Sequence, residues 1–440
     1  MSILSRQLPI QPHLTAEKIQ AANFFHLYWD VAWFGVAYGS TLSFLAIFAT
    51  RLGATGWQVG LLSAGPALMN VFFTLPAGRW VAQRPLATAV TDSAVGQRLG
   101  LVLLMLFPVL LPTNFQIWAT VALVLLMAVP GAALAIGFNA LLATTVPIEW
   151  RGHVVGRRNV LLSAAIMLTF VASGWILDYF SFEWGYTIVF GIGALGGIMS
   201  TYHLFRIRVP AVPPKFEGRP LQDQAKPGRG IGFGAGAVAY RLVSPRLWLN
   251  WRPGGWHDFN HISTQYRWVM LAFFMFHFTQ LLPAAIFPLF WVREAHLTDG
   301  QIGWINGVFY LSMLVGSLFL GRLTRRLGNY RLTAIGSILL AIYPLLIALS
   351  QGIGLLIFAS ALVGAIWAIL SGAQINRLLE LVPEDDRPAH MALYNLALNV
   401  AMLGGALLGP LMAEIVGIRE ALFIIVGLRL VSGLAVTRWS

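Results

Sequence analysis

Gln58-Val59-Gly60 is followed by Gly78-Arg79, and Gln301-Ile302-Gly303 is followed by Gly321-Arg322 at the same internal spacing. Further on, Val146-Pro147, Arg151 and Asn159 return as Val382-Pro383, Arg387 and Asn395, all displaced by one constant offset. These correspondences fall between long apolar segments, so the second half of the chain reads as a diverged copy of the first.

Composition says where such a repeat lives. The 440 residues are 58% hydrophobic and 10% charged, too little polar surface to cover a water-soluble globule. Apolar runs of about 20 residues, the length that crosses a hydrocarbon core, fall near 23–50, 56–78, 95–112, 115–145, 157–178, 184–206, 266–292, 300–321, 330–350, 352–381, 389–414 and 418–437. The expected fold is an all-α integral membrane protein with twelve transmembrane helices in two pseudo-symmetric six-helix bundles, 1–206 and 266–440. A cytoplasmic linker, 207–265, joins them. Its first part is rich in Pro, Gly and charge and favours a flexible tether. Its second part mixes Arg246, Trp248, Trp251, Arg252, Trp256 and Tyr266, as expected of a segment at the lipid headgroups.

The placement of charge explains the net +12 without nucleic acid. All but four of the 29 Lys and Arg fall on one side of the twelve-span arrangement; Arg51, Arg293 and Arg419 fall on the other, and Arg429 lies inside the last span. That asymmetry places both termini in the cytoplasm and the protein in the cytoplasmic, or inner, membrane. With no cysteine there is no disulfide and no thiolate metal site, and no cofactor is expected. The first apolar run exceeds a signal-peptide core and lacks a small-residue cleavage site, so it reads as a retained helix.

The paired halves and their loop motifs resemble the major facilitator superfamily along essentially the whole chain. The resemblance implies two bundles that rock about a central cavity, opening it alternately to each side of the membrane. The family's signature after the second helix, Gly-x-x-x-Asp-Arg-x-Gly-Arg-Arg, is reduced here to Gly78-Arg79-Trp80-Val81-Ala82-Gln83-Arg84 and Gly321-Arg322-Leu323-Thr324-Arg325-Arg326-Leu327-Gly328. Ala82 and Arg325 stand where the family has Asp, so a cytoplasmic latch must use other pairs. Glu149-Trp150-Arg151 and Glu384-Asp385-Asp386-Arg387 are equivalent in the two halves. They are the candidate latch, together with Gly78, Arg79, Gly321, Arg322 and Arg326; the alternative is solvated loop ends. The fourth span lacks the Arg, and the fifth the Gly-rich run, that drug–proton exchangers of the family often carry.

Ionisable groups inside spans are costly and face a cavity or a partner. Asp30 is placed two turns into the first helix, with His26 four residues before it on the same face and Tyr38 eight beyond. Asp30 with His26 is the candidate for proton coupling or for binding a cation; the alternative is a structural bond from Asp30 to Arg158 or Arg377. In the resembling transporters the first, fourth, seventh and tenth helices line the cavity. That nominates Asn139, His277, Gln280, Gln374 and Asn376 beside Tyr38, with Trp33 and Trp367 as aromatic walls or packing. Arg429 must find a buried partner or reach an interface.

The function expected is secondary active transport of a small molecule, driven by protons, with export of a hydrophobic or amphipathic compound by a monomer. No Gly-x-x-x-x-Gly-Lys-Ser/Thr loop supplies ATP drive. A non-transporting sensor or a pigment or lipid assembly factor is the alternative. No spaced His or carboxylate cluster supports an enzyme.

Overall fold

A computed structural model describes residues 16–209, 264–382 and 387–439. Segment 210–263, with the expected tether and most of the expected headgroup-level part, lies outside the described residues, as do Glu384, Asp385 and Asp386; Tyr266, expected at the headgroups, is instead buried and donates to the His390 carbonyl at 2.8 Å. Among the described residues eleven stretches are long and apolar enough to cross a membrane. One of these, the 51-residue Asp299–Leu349, contains Gly328 with φ 77° and ψ 161°, a left-handed conformation that reverses the chain between two helices. The spans among the described residues are therefore twelve. We number them α1 (16–51), α2 (Gly56–Ala82), α3 (Leu86–Leu110), α4 (Thr113–Thr145), α5 (Ile148–Tyr179), α6 (Phe182–Phe205), α7 (Thr264–Glu294), α8 (299–327), α9 (329–349), α10 (Ile353–Leu381), α11 (Arg387–Val416) and α12 (Ile418–Trp439). The end that carries most of the basic residues is called the inner end below.

Short connections force consecutive helices antiparallel. Pro85, Pro112 and Pro147 stand just before α3, α4 and α5, where a residue without an N–H interrupts the preceding helix. Asn23 of α1 ties down the chain leaving α6: its side chain donates to the Arg208 carbonyl and accepts from the Arg208 N–H, both at 2.9 Å.

Two spans are broken inside the membrane. α7 runs as an α-helix to Leu281, passes through a 3₁₀ turn at Leu282–Ala284 that contains Pro283, and ends in a π turn, Phe290–Glu294. α9 breaks at Leu340–Ala341. Broken helices leave carbonyls without intrahelical partners, and in lipid these must be satisfied by protein. Arg429 of α12 does this. Its guanidinium donates to the carbonyls of Thr279 at 3.3 Å, Gln280 at 3.0 Å and Leu340 at 2.8 Å. The buried cation of the last span is thus a tie between two interrupted helices.

The apolar core is continuous across the bundles at the outer end and divided at the inner end. One cluster joins Phe44, Phe48, Tyr186 and Phe190 of the first bundle with Phe273, Ile286 and Phe290 of the second. Toward the inner end, the cluster around Leu27, Leu134 and Val154 contains first-bundle residues alone. The cluster of Leu320, Leu332 and Ala373 contains second-bundle residues alone.

Replacing Arg429 by Met should lower the melting temperature by roughly 5–10 °C, because three buried carbonyls lose their donor. Arg429→Lys should recover part of that loss, since one ammonium cannot span three acceptors. Equal melting of Arg429→Met and wild type would remove the tie from the account.

Candidate functional site

The two bundles meet at the outer end through charged and aromatic side chains of helix ends. Arg51 pairs with Asp299 at 3.2 Å and also donates to the Leu297 carbonyl. Arg293 donates to the Ala54 carbonyl. Tyr186 reaches the second Asp299 oxygen at 3.5 Å. Farther from that end Tyr38 of α1 and Tyr310 of α8 face each other across the two bundles. Tyr38 begins a π turn, Tyr38–Leu42, and is 37% exposed.

At the inner end, the expected latch residues that are described do not meet across the bundles. Arg151 folds back on its own bundle, donating to the carbonyls of Ala143 at 2.7 Å and Val146 at 3.1 Å at the end of α4. Arg79, Glu149, Gly321, Arg322 and Arg326 are exposed, and Gly78 is half-buried against Ile136 of its own bundle. Asp386 lies outside the described residues, and Arg387 opens α11. The bonds described above that join the two bundles thus gather at the outer end.

Each bundle also holds a polar cluster of its own. In the first, Asp30 is buried and ion-paired with Arg158 at 3.2 Å. Ser200 donates to its other oxygen at 2.7 Å, and Arg98 donates to Ser200 at 3.0 Å. Arg158 also bonds the Leu27 carbonyl and lies over the Phe138 ring at 4.6 Å. His26 meets His203 of α6, nitrogen to nitrogen at 2.9 Å, with Trp29 stacked on His203. The Asp30–Ser200 pair and the His26–His203 pair therefore bridge the same two helices, the histidines one turn nearer the inner end. Arg377, the other suggested partner of Asp30, pairs instead with Glu380 at 3.3 Å.

In the second bundle, Nε2 of His277 lies 3.0 Å from the Tyr394 hydroxyl and 3.4 Å from the Gln374 amide nitrogen. An amide nitrogen only donates, so with this orientation His277 accepts at Nε2 and is the neutral tautomer protonated at Nδ1. Trp367 and Ser371 line the same recess. Tyr394 and Gln374 occupy positions equivalent to Arg158 and Phe138, at the offset that relates Arg151 to Arg387. One ancestral pair of positions has become ionic in the first bundle and neutral polar in the second.

The other candidates scatter. Asn139 on α4 is half-buried and makes no side-chain hydrogen bond among the described residues. Gln280 keeps a buried carbonyl oxygen without a partner. Asn376 faces away from Gln374 and donates weakly to Asn329 at 3.5 Å, itself bonded to Glu380 at 2.6 Å, so it belongs to an inner-end cluster and not to the recess. Sequence reasoning missed Arg98, Ser200, His203, Tyr310 and Tyr394. Tyr394 was legible as the residue beside Asn395 in the repeat; Ser200 and Tyr310 carried no signal.

A profile of the Major Facilitator Superfamily matches residues 31–282 and 269–440. The chain belongs to this superfamily. It is a multi-pass membrane transporter, and its family relatives bear out the twelve-helix fold. Among curated proteins the chain is 25% identical over 402 residues to the "Putative sugar efflux transporter" of Deinococcus radiodurans, covering 90% of this chain and 92% of that one. Among solved structures it is similar to an inward-facing bacterial homologue of the iron transporter ferroportin (TM-score 0.68, 13% identity, 97% and 99% of the two chains). It is also similar to the E. coli xylose transporter XylE in a partially occluded inward-open conformation (TM-score 0.65, 12% identity, 94% and 96%).

Asp30→Ala strands Arg158 in the membrane and should cost about 3–5 kcal/mol. Adding Arg158→Met should restore much of the lost thermal stability. A double variant as unstable as the sum of its singles would mean that the pair is not coupled.

Proposed function

We propose that this transporter exports a small uncharged compound that carries hydroxyl groups and an apolar face, a sugar or a glycoside, through the cytoplasmic membrane. The observation that carries this reading is the neutral recess of the second bundle. Tyr394, Ser371 and the free Gln374 carbonyl oxygen offer hydrogen bonds, and Trp367 offers a flat apolar surface. Such a site rewards a hydroxyl that pairs with its buried polar groups and rejects an analogue that leaves them unpaired. The sugar-efflux name of the curated relative supports both the substrate class and the direction. This reading departs from the hydrophobic or amphipathic compound expected from the sequence, because the recess offers hydrogen-bonding groups.

Proton movement through Asp30 is the proposed drive. A proton on Asp30 would neutralise its carboxylate and release Arg158. The His26–His203 pair stands where that proton would leave toward the inner end, and the ion-paired arrangement corresponds to the state after release. Arg79, Glu149, Arg151, Arg322, Arg326, Asp386 and Arg387 would close the inner end when the outer end opens, with both termini cytoplasmic and a monomer as the working unit.

The test is flux in proteoliposomes across a panel of sugars and glycosides, with and without a proton gradient. At least one compound should be exported faster under a gradient directed toward the cytoplasmic side. Asp30→Asn should abolish the response to the gradient while sparing substrate exchange at equal pH. Gln374→Ala should raise the half-saturation concentration about tenfold, the effect of losing one to two hydrogen bonds, and Asn376→Ala should leave it unchanged. No flux across the panel would overturn the substrate class, and an intact gradient response in Asp30→Asn would overturn the drive.

A further inference from the structure

The outer end carries a symmetry in its helix starts. α2 and α8 both begin with a capping box. The Thr55 hydroxyl accepts from the Gln58 N–H at 3.4 Å while Gln58 accepts from the Thr55 N–H at 2.8 Å. Thr298 and Gln301 repeat the arrangement at 3.2 and 3.0 Å. A capping box satisfies some donors of the first turn and leaves others open. In both helices one of the remaining donors is taken by a carboxylate from the opposite bundle. The Gly56 N–H donates to Glu414 of α11 at 3.0 Å, and the Gly300 N–H donates to Asp178 of α5 at 3.0 Å. Asp178 also accepts from the Thr298 hydroxyl at 2.7 Å.

Asp178 and Glu414 are equivalent residues, related by the offset that carries Arg151 onto Arg387. One turn deeper the symmetry continues. A Cβ on Gly60 would lie 2.9 Å from the Ala406 carbonyl oxygen, and one on Gly303 would lie 3.0 Å from that of Phe170. Phe170 and Ala406 are again equivalent. The glycines of the two repeated motifs thus let the helices approach closely enough for the acids to reach.

We propose that Asp178 and Glu414 form a two-fold latch on the outer end, each capping a helix start of the opposite bundle, and that outward opening uncaps α2 and α8 in one movement. The reason lies in rigid-body geometry. α5 and α11 belong to different bundles and grip α8 and α2 across the same interface, so a rotation that separates the outer ends draws both acids away together. Each carboxylate faces the partial positive charge of a helix N-terminus, an interaction present in the closed state and replaced by water in the open one. Both acids therefore bias the equilibrium the same way and to a similar extent. This inference concerns the conformational step and stands apart from the identity of the substrate.

The chain contains no cysteine, so a single thiol reports without background. Tyr310→Cys places that thiol beneath the closed outer end. An impermeant thiol reagent added outside right-side-out vesicles reaches it in proportion to the outward-open population. Asp178→Ala and Glu414→Ala should each raise the labelling rate about tenfold, the effect of losing one helix cap. The double variant should raise it on the order of a hundredfold. Asp178→Asn and Glu414→Gln, which keep an accepting oxygen, should move the rate in the same direction by less, and serve if an alanine variant does not fold. Unchanged labelling in the folded variants, or a response to one acid and not the other, would overturn the two-fold latch.

Discussion

Everything else in this structure depends on the close contact of α5 with α8 and of α2 with α11 at the outer end. Lipid supplies no hydrophobic drive between helices, so this contact must come from small residues that allow near approach and from polar groups that find partners across it. Gly60, Gly303, the outer arginines and the two helix-capping acids provide both. The polar clusters of the two bundles, by contrast, are each bonded within one bundle. The Arg51–Asp299 pair and the shared aromatic core around Phe48 and Phe290 reinforce the same closure.

The two bundles are copies in backbone and divergent in chemistry. Arg158 over Phe138 in the first corresponds to Tyr394 beside Gln374 in the second. The first pairing locks a carboxylate within its own bundle. The second presents neutral donors and acceptors beside an indole. Duplication made two equivalent pairs of positions, and substitution left one ionic and the other neutral and polar.

Much of this architecture was legible in the sequence, for physical reasons that differ by residue. Span count and bundle symmetry follow from apolar run length and from the repeated Gln-x-Gly and Gly-Arg motifs. Arg51, Arg293 and Arg419 stood out as the few basic residues on the outer side; the first two bond across the bundles, and Arg419 donates to the Ala348 carbonyl at 2.7 Å. What could not be read was partnership. Asp30 could be placed on a helix face, yet its bonds to Arg158 and Ser200 depend on how α1, α5 and α6 cross. Gln374 and Asn376 are two residues apart and looked alike, but a helix turns them to different neighbours. The role of Arg429 was hidden because its acceptors are backbone carbonyls, freed by breaks in α7 and α9 that leave little trace beyond Pro283.

The central claim is that two rigid bundles rock about the cavity, closed at the outer end at rest. The most direct measurement is pulsed dipolar distance spectroscopy in lipid on two spin-labelled pairs. One joins Asn114→Cys to Gly354→Cys at the outer end, and the other joins Gln83→Cys to Leu327→Cys at the inner end. At rest, the outer pair should show one short population and the inner pair a long one. Adding a transported sugar should lengthen the first and shorten the second together. Distances that stay fixed under turnover, or that lengthen at both ends at once, would contradict the account.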